Sequence, residues 1–120
     1  MAKYNNTKTR GYDSKREYHR SLLLKQMQRD GEISDLREQV VFELIPKQTE
    51  VIIIERVLKK GIKLVEKEVV VERACAYIAD FVYIQNGKRI VNDSKGICTE
   101  VYRIKKKLML LIHGIKVFET

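Results

Sequence analysis

Apolar positions recur along this chain with two different periods. From residue 13 the spacing is helical: Leu22, Leu23 and Met27 follow Tyr18 and His19, and Asp30-Gly31 ends the run. Asp13 or Ser14 can cap its start. The period then shortens to two. The runs VVFELI (40–45), VIIIERVL (51–58) and IKLVEKEVVV (62–71) read as strands, with Pro46 closing the first and Lys59-Lys60-Gly61 turning between the other two. Two further strands, 77–84 and 88–95, meet at Asn86-Gly87, a pair that favours a two-residue hairpin turn. Thr99 can cap a second helix with an apolar stripe of Val101, Ile104, Leu108, Leu111 and Ile112. Gly114 ends that helix, and IKVF (115–118) reads as a short last strand. The order of elements predicts an α/β (α+β) fold, a mixed β-sheet flanked by helices.

The 120 residues suffice for one domain with one core, expected over 12–120, behind a mobile basic arm at 1–11. No apolar run approaches the roughly 20 residues of a membrane span, and no apolar stretch follows the basic residues at the start as a secretory signal requires. Cys75 and Cys98 are too few for a disulfide framework or zinc site and read as two reduced thiols in a cytosolic protein. The net charge of +8 is unevenly spread: residues 1–30 carry +5, residues 31–94 carry −1 and residues 95–120 carry +4. Such ends suit a polyanion such as DNA, with Lys15, Arg16, Arg103, Lys105, Lys106 and Lys107 as the candidate contacts.

One hairpin carries charges where a core strand would not need them. In YIADFVYIQNGKRIVNDSKG (77–96), Asp80 shares a strand face with Ile78, Val82 and Ile84, and Asp93 points the same way as Val91 and Lys95. A buried carboxylate is costly unless compensated. A hard cation such as Mg2+ or Mn2+ would compensate it, since such ions prefer oxygen ligands and keep several waters. A nearby ammonium could then orient a water and neutralise a phosphate. A bare D…DxK recurs by chance in many proteins, and the residues alone fit a buried Asp–Lys ion pair with no catalytic task better than a catalytic site. Tyr77, Phe81 and Tyr83 share the other face and read as sheet-packing residues.

The same residues carry a resemblance. The segment YIADFVY…NGK…VNDSKG, followed by a basic helix, resembles the active-site core of the PD-(D/E)XK nuclease superfamily. With GYDSKREYHRSLLL, LREQVVFELIP and IKKKLMLL, the chain from about residue 7 to 118 resembles a small phage-encoded family of that superfamily, long catalogued as a domain of unknown function. The stretch 50–73 matches least. The resemblance implies a restriction-endonuclease-like core with an extra β-hairpin at 50–73. It implies Asp80 and Asp93 as metal ligands, joined by Glu17 from the first helix, and Lys95 as the catalytic lysine. Lys105 stands where a helix commonly lends a residue to the site. Two positions depart from the pattern: Ala79 replaces the proline of the motif, and Asn92 stands where an acid is expected.

The expectation is therefore a Mg2+- or Mn2+-dependent DNA endonuclease acting on branched DNA, as Holliday-junction resolvases do, in the bacterial cytoplasm. A homodimer is expected, because a symmetric junction needs two cuts, with the 50–73 hairpin as a candidate dimer element. The alternative is a non-catalytic nucleic-acid-binding phage protein using the same basic ends.

Overall fold

The computed structural model describes residues 11, 12 and 14–120. Residues 1–10 of the arm expected at 1–11, and the alternative cap Asp13, lie outside the described residues. The elements run α1 (Lys15–Arg29), β1 (Ser34–Ile45), β2 (Gln48–Leu58), β3 (Gly61–Glu72), β4 (Cys75–Gln85), β5 (Lys88–Asp93), α2 (Glu100–His113) and β6 (Phe118–Glu119). This is the expected α+β fold. Two compact units divide it: the described residues up to Phe42 together with Tyr77–Thr120, and Glu43–Ala76.

In the first unit Ser14 begins α1, its side chain accepting the Glu17 N–H at 3.1 Å. The helix does not bury the face its apolar residues suggest. Glu17, Ser21 and Leu24 are buried, whereas Leu22 and Leu23 are about half exposed. Two polar residues are drawn inward because partners wait there. The Ser21 hydroxyl lies 2.7 Å from the Tyr12 hydroxyl and donates to Glu38 Oε1 at 3.0 Å. Hydrogen bonding removes the penalty that would otherwise expel them.

The four-stranded sheet has the order β1-β4-β5-β6, with β5 antiparallel to β4 and parallel to β6. Asn86 and Gly87, at φ 53 and 74, both occupy the left-handed region that a two-residue hairpin turn of the mirrored type demands. One face of β4 presents Tyr77, Ala79, Phe81 and Tyr83, all buried. Leu24, Ile33, Phe81 and Tyr83 form the core, with Met27, Leu36 and Ile90 packed against it. β1 begins six residues before the run 40–45, and Asp35 and Gln39 interrupt its alternation with positive φ angles.

Thr99 caps α2 by accepting the Tyr102 N–H at 3.1 Å. Gly114, at φ 67, ends it, and the Ile115 N–H still bonds back to the Met109 carbonyl. The last strand therefore starts at Phe118 rather than at residue 115. The apolar stripe of α2 is not the face the helix buries most deeply, and Leu108 within it is half-buried. The helix buries Tyr102 and Met109, while Val101, Ile104, Leu111 and Ile112 lie exposed. An apolar stripe records which face avoids water, not which face finds cover.

The second unit is a two-stranded antiparallel ribbon of β2 and β3, paired from Gln48↔Glu72 to Leu58↔Gly61 with one irregularity between Gln48 and Thr49. It occupies the stretch where the extra hairpin is expected.

Candidate active site

Three elements of the first unit bring carboxylates together. Glu17 comes from the first turn of α1, Asp80 from the middle of β4 and Asp93 from the last position of β5. β4 and β5 pair up to Phe81↔Asn92, so Asp80 and Asp93 occupy the next cross-strand position. Their carboxyl groups lie close enough to share a proton, and Glu17 stands in the same relation to Asp80. Glu17 is buried.

Gln39 ties the group together. Its amide donates to Glu17 Oε1 at 2.9 Å and to Asp80 Oδ1 at 3.5 Å. The Ser94 N–H donates to Asp80 Oδ2 at 2.9 Å. Tyr77 donates to Asp93 Oδ2 at 2.5 Å. Lys95 Nζ lies 3.7 Å from Asp93 Oδ1, an ion pair too long for a hydrogen bond, and 5.0 Å from the centre of the Tyr102 ring.

The electrostatics follow from this crowding. Burial and the neighbouring Asp80 push the Asp93 carboxyl up to about 7, against the opposing pull of Tyr77 and Lys95. Burial acts in the same direction on Asp80. Its hydrogen bonds with Asp93, Glu17 and the Ser94 amide outweigh burial and hold it below the ordinary carboxylate range. The two carboxylates thus titrate as a coupled pair, with Asp93 pushed up and Asp80 held low. Burial and the Asp93 carboxylate raise the Tyr77 hydroxyl well above its usual value, so it remains a donor.

A divalent cation fits this site on two observations. Asp93 is fully buried, yet its Oδ1 has no hydrogen-bond partner among the described residues. The donors around it are hard carboxylate oxygens, the set that Mg2+ and Mn2+ prefer. Among the described residues no three His, Cys, Asp or Glu side chains surround one point as ligands. The acids meet pairwise, which leaves the remaining coordination of such an ion to waters and phosphate.

The basic candidates are placed differently. Lys15 and Arg16 are exposed in the first turn of α1, and Arg103 and Lys107 are exposed on α2. Lys106 donates to Glu119 Oε1 at 2.6 Å. Lys105 is half-buried, and no hydrogen bond or ion pair among the described residues joins it to the carboxylates. Asn92 is engaged elsewhere. It is fully buried, accepts from Arg20 at 3.1 Å and donates to the Phe118 carbonyl at 2.9 Å and Thr120 Oγ1 at 3.2 Å. It fastens α1 and β6 to β5.

The family model described as protein of unknown function (DUF1064) matches residues 1–113. The chain belongs to that family. The matched stretch holds both helices, the ribbon, the three carboxylates and Lys95, so the DUF1064 family model spans the whole site except the strand β6 that braces it. No curated protein and no solved structure matches the chain.

Sequence reasoning missed Gln39, Tyr77 as a hydrogen-bond donor, and Arg20. None carries a motif. A left-handed residue inside a strand, as at Gln39, is visible only in the backbone.

Proposed function

We propose that this chain is a divalent-metal-dependent DNA endonuclease of the PD-(D/E)XK type, hydrolysing phosphodiester bonds in branched DNA of the Holliday-junction kind during phage recombination or replication. The observation that carries this reading is the buried Asp93 Oδ1, without a hydrogen-bond partner among the described residues, next to Asp80 and 3.7 Å from Lys95 Nζ, with Glu17 adjoining Asp80.

Asp80 and Asp93 would hold the cation, with Glu17 adjoining Asp80. Once bound, Mg2+ or Mn2+ would supply Lewis-acid stabilisation of the phosphate and acidify a water. Gln39 and the Ser94 amide fix the Asp80 carboxylate, so its position is set before substrate arrives. Tyr77 does the same for one oxygen of Asp93 and leaves the other for a ligand. Lys95, partly exposed and tethered by Asp93 and the Tyr102 ring, is placed to meet phosphate oxygens and the attacking water. The exposed cations of α1 and α2 supply the sequence-independent attraction that any DNA partner needs.

The test is incubation of the full chain with linear, flapped and four-way-junction DNA, in Mg2+ or in EDTA. Cleavage of the junction in Mg2+ alone is expected. Asp80→Ala should remove it while junction binding persists. Lys95→Ala should slow it by about 10²–10³-fold with Mn2+ affinity measured by calorimetry unchanged. Binding without cutting in any metal would reduce the chain to a nucleic-acid-binding protein.

A further inference from the structure

Two surfaces of this chain are far more apolar than water-facing surfaces should be, and each is sorted by charge. In the ribbon, directly paired residues share a face. One face presents Val51, Ile53, Val57, Ile62, Leu64 and Val70, all more than half exposed. Every charge on that face is acidic: Glu55, Glu66 and Glu68. The opposite face carries Arg56, Lys63 and Lys67, with Glu50 its one acid along the same regular register. A two-stranded hairpin is at best marginally stable alone, and an exposed apolar area of this kind marks an interaction site.

The second surface is the α2 stripe. Val101, Ile104, Leu108 and Leu111 recur at intervals of three and four, the spacing of a helix seam. Val101, Ile104 and Leu111 are exposed, although Tyr102 and Met109 bury another face of the same helix. By helical geometry Lys105 borders the stripe on one side and Lys107 on the other. Glu100 is the only acid of the helix.

Neither surface suits its own kind. Two α2 helices face to face would bring Lys105 and Lys107 against their own copies. Two acidic ribbon faces would bring Glu55, Glu66 and Glu68 together. Like charges at close quarters oppose both pairings. The cross-combination matches apolar to apolar and acid to base.

We propose that the chain forms a two-fold dimer by reciprocal exchange: the acidic, apolar face of each β2–β3 ribbon docks on the α2 stripe of a second copy. A two-fold axis makes the two contacts identical. Each partner would contribute the nine ribbon-face and six helix side chains named above, fifteen in all, fewer than the roughly 20–30 of a standard interface. The cationic ribbon face stays outward. This inference does not depend on whether the carboxylates cut DNA.

The experiment is sedimentation equilibrium of the full chain and two double variants, with circular dichroism as a check on folding. The wild type is expected to be a dimer at micromolar concentration. Ile53→Glu with Leu64→Glu, and separately Ile104→Glu with Leu111→Glu, should each raise the dimer dissociation constant at least roughly 100-fold. Mixing the two variants should restore a heterodimer, because one ribbon and one helix remain intact and can meet. A variant that merely failed to fold could not be rescued this way. A monomeric wild type would overturn the proposal. So would a helix variant that still dimerises, which indicates ribbon-on-ribbon pairing, or a ribbon variant that does, which indicates helix-on-helix pairing. A second readout places one cysteine at Ile53 and one at Ile104, with Cys75 and Cys98 changed to Ser. Oxidation should give a cross-linked dimer; a bond formed only within single chains would refute the exchange.

Discussion

The β4–β5 and β2–β3 hairpins are built alike and sit in opposite surroundings. Both are antiparallel, both turn in two residues, and both are rich in Val and Ile. β4 buries Phe81 and Ala79 completely, whereas Val57 of β2 is 85% exposed. Apolarity therefore does not distinguish them; the placement of charge does. In β4–β5 Asp93 is fully buried and its neighbour Asp80 half-buried, which is costly unless a partner or ligand compensates them. In the ribbon the charges stay at the surface and segregate by face. A buried charge points to chemistry, and an exposed apolar face points to a partner.

That contrast can be broken most forcefully by truncating one side chain in each hairpin. Phe81→Ala should cost about 3–5 kcal/mol of stability through lost burial and a cavity. Val57→Ala should stay within about 0.5 kcal/mol, measured by urea unfolding at dilutions where single chains prevail. Comparable losses at both positions would mean that the ribbon is covered within its own chain.

A smaller effect tests the buried charges. Asp93 titrates near 7 in the native chain against an ordinary value of 3.8. Between those limits the native state keeps a proton that the unfolded chain has released. Stability in EDTA should then fall as pH rises from about 4 to about 7. Asp80, held low, titrates below that window, and its contribution is lost only as pH falls further. Asp93→Asn should flatten the slope, and Mn2+ should offset the loss at the upper end. Melting temperatures across pH, with and without Mn2+, measure this; a rise in stability across the window would reverse the assignment of the proton.

The smallest effect is at the turn. Gly87→Ala meets no neighbour within 4 Å, so only its left-handed backbone matters. The cost should be about 1 kcal/mol, read from the unfolding midpoint.

Much of this fold was legible because its signals are local. Asn86-Gly87, Thr99 and Gly114 each act through their own backbone, and each performs as its residue type predicts. The clustering of Asp80, Asp93 and Lys95 was legible because cross-strand neighbours follow from a two-residue turn. The buried face of α1 was not. Glu17 and Ser21 are polar, and only their distant partners Gln39 and Glu38 explain their burial. The α2 stripe misled for the converse reason. Helical periodicity reports amphipathicity, and whether a second surface covers the apolar side depends on residues far away in sequence or on another chain.

The bonds around Asn92 also set an order in time. Its amide reaches Phe118 and Thr120, 26 and 28 residues further on, and it accepts from Arg20, 72 residues back. Thr120 in turn bonds to the backbone on both sides of Ser94. The ribbon can zip outward from its two-residue turn at Leu58↔Gly61, and closing short loops is fast. During synthesis at about 5–20 residues per second, the ribbon can form seconds before β6 leaves the ribosome. A chain caught part-way therefore exposes the apolar ribbon face before β6 has braced β5.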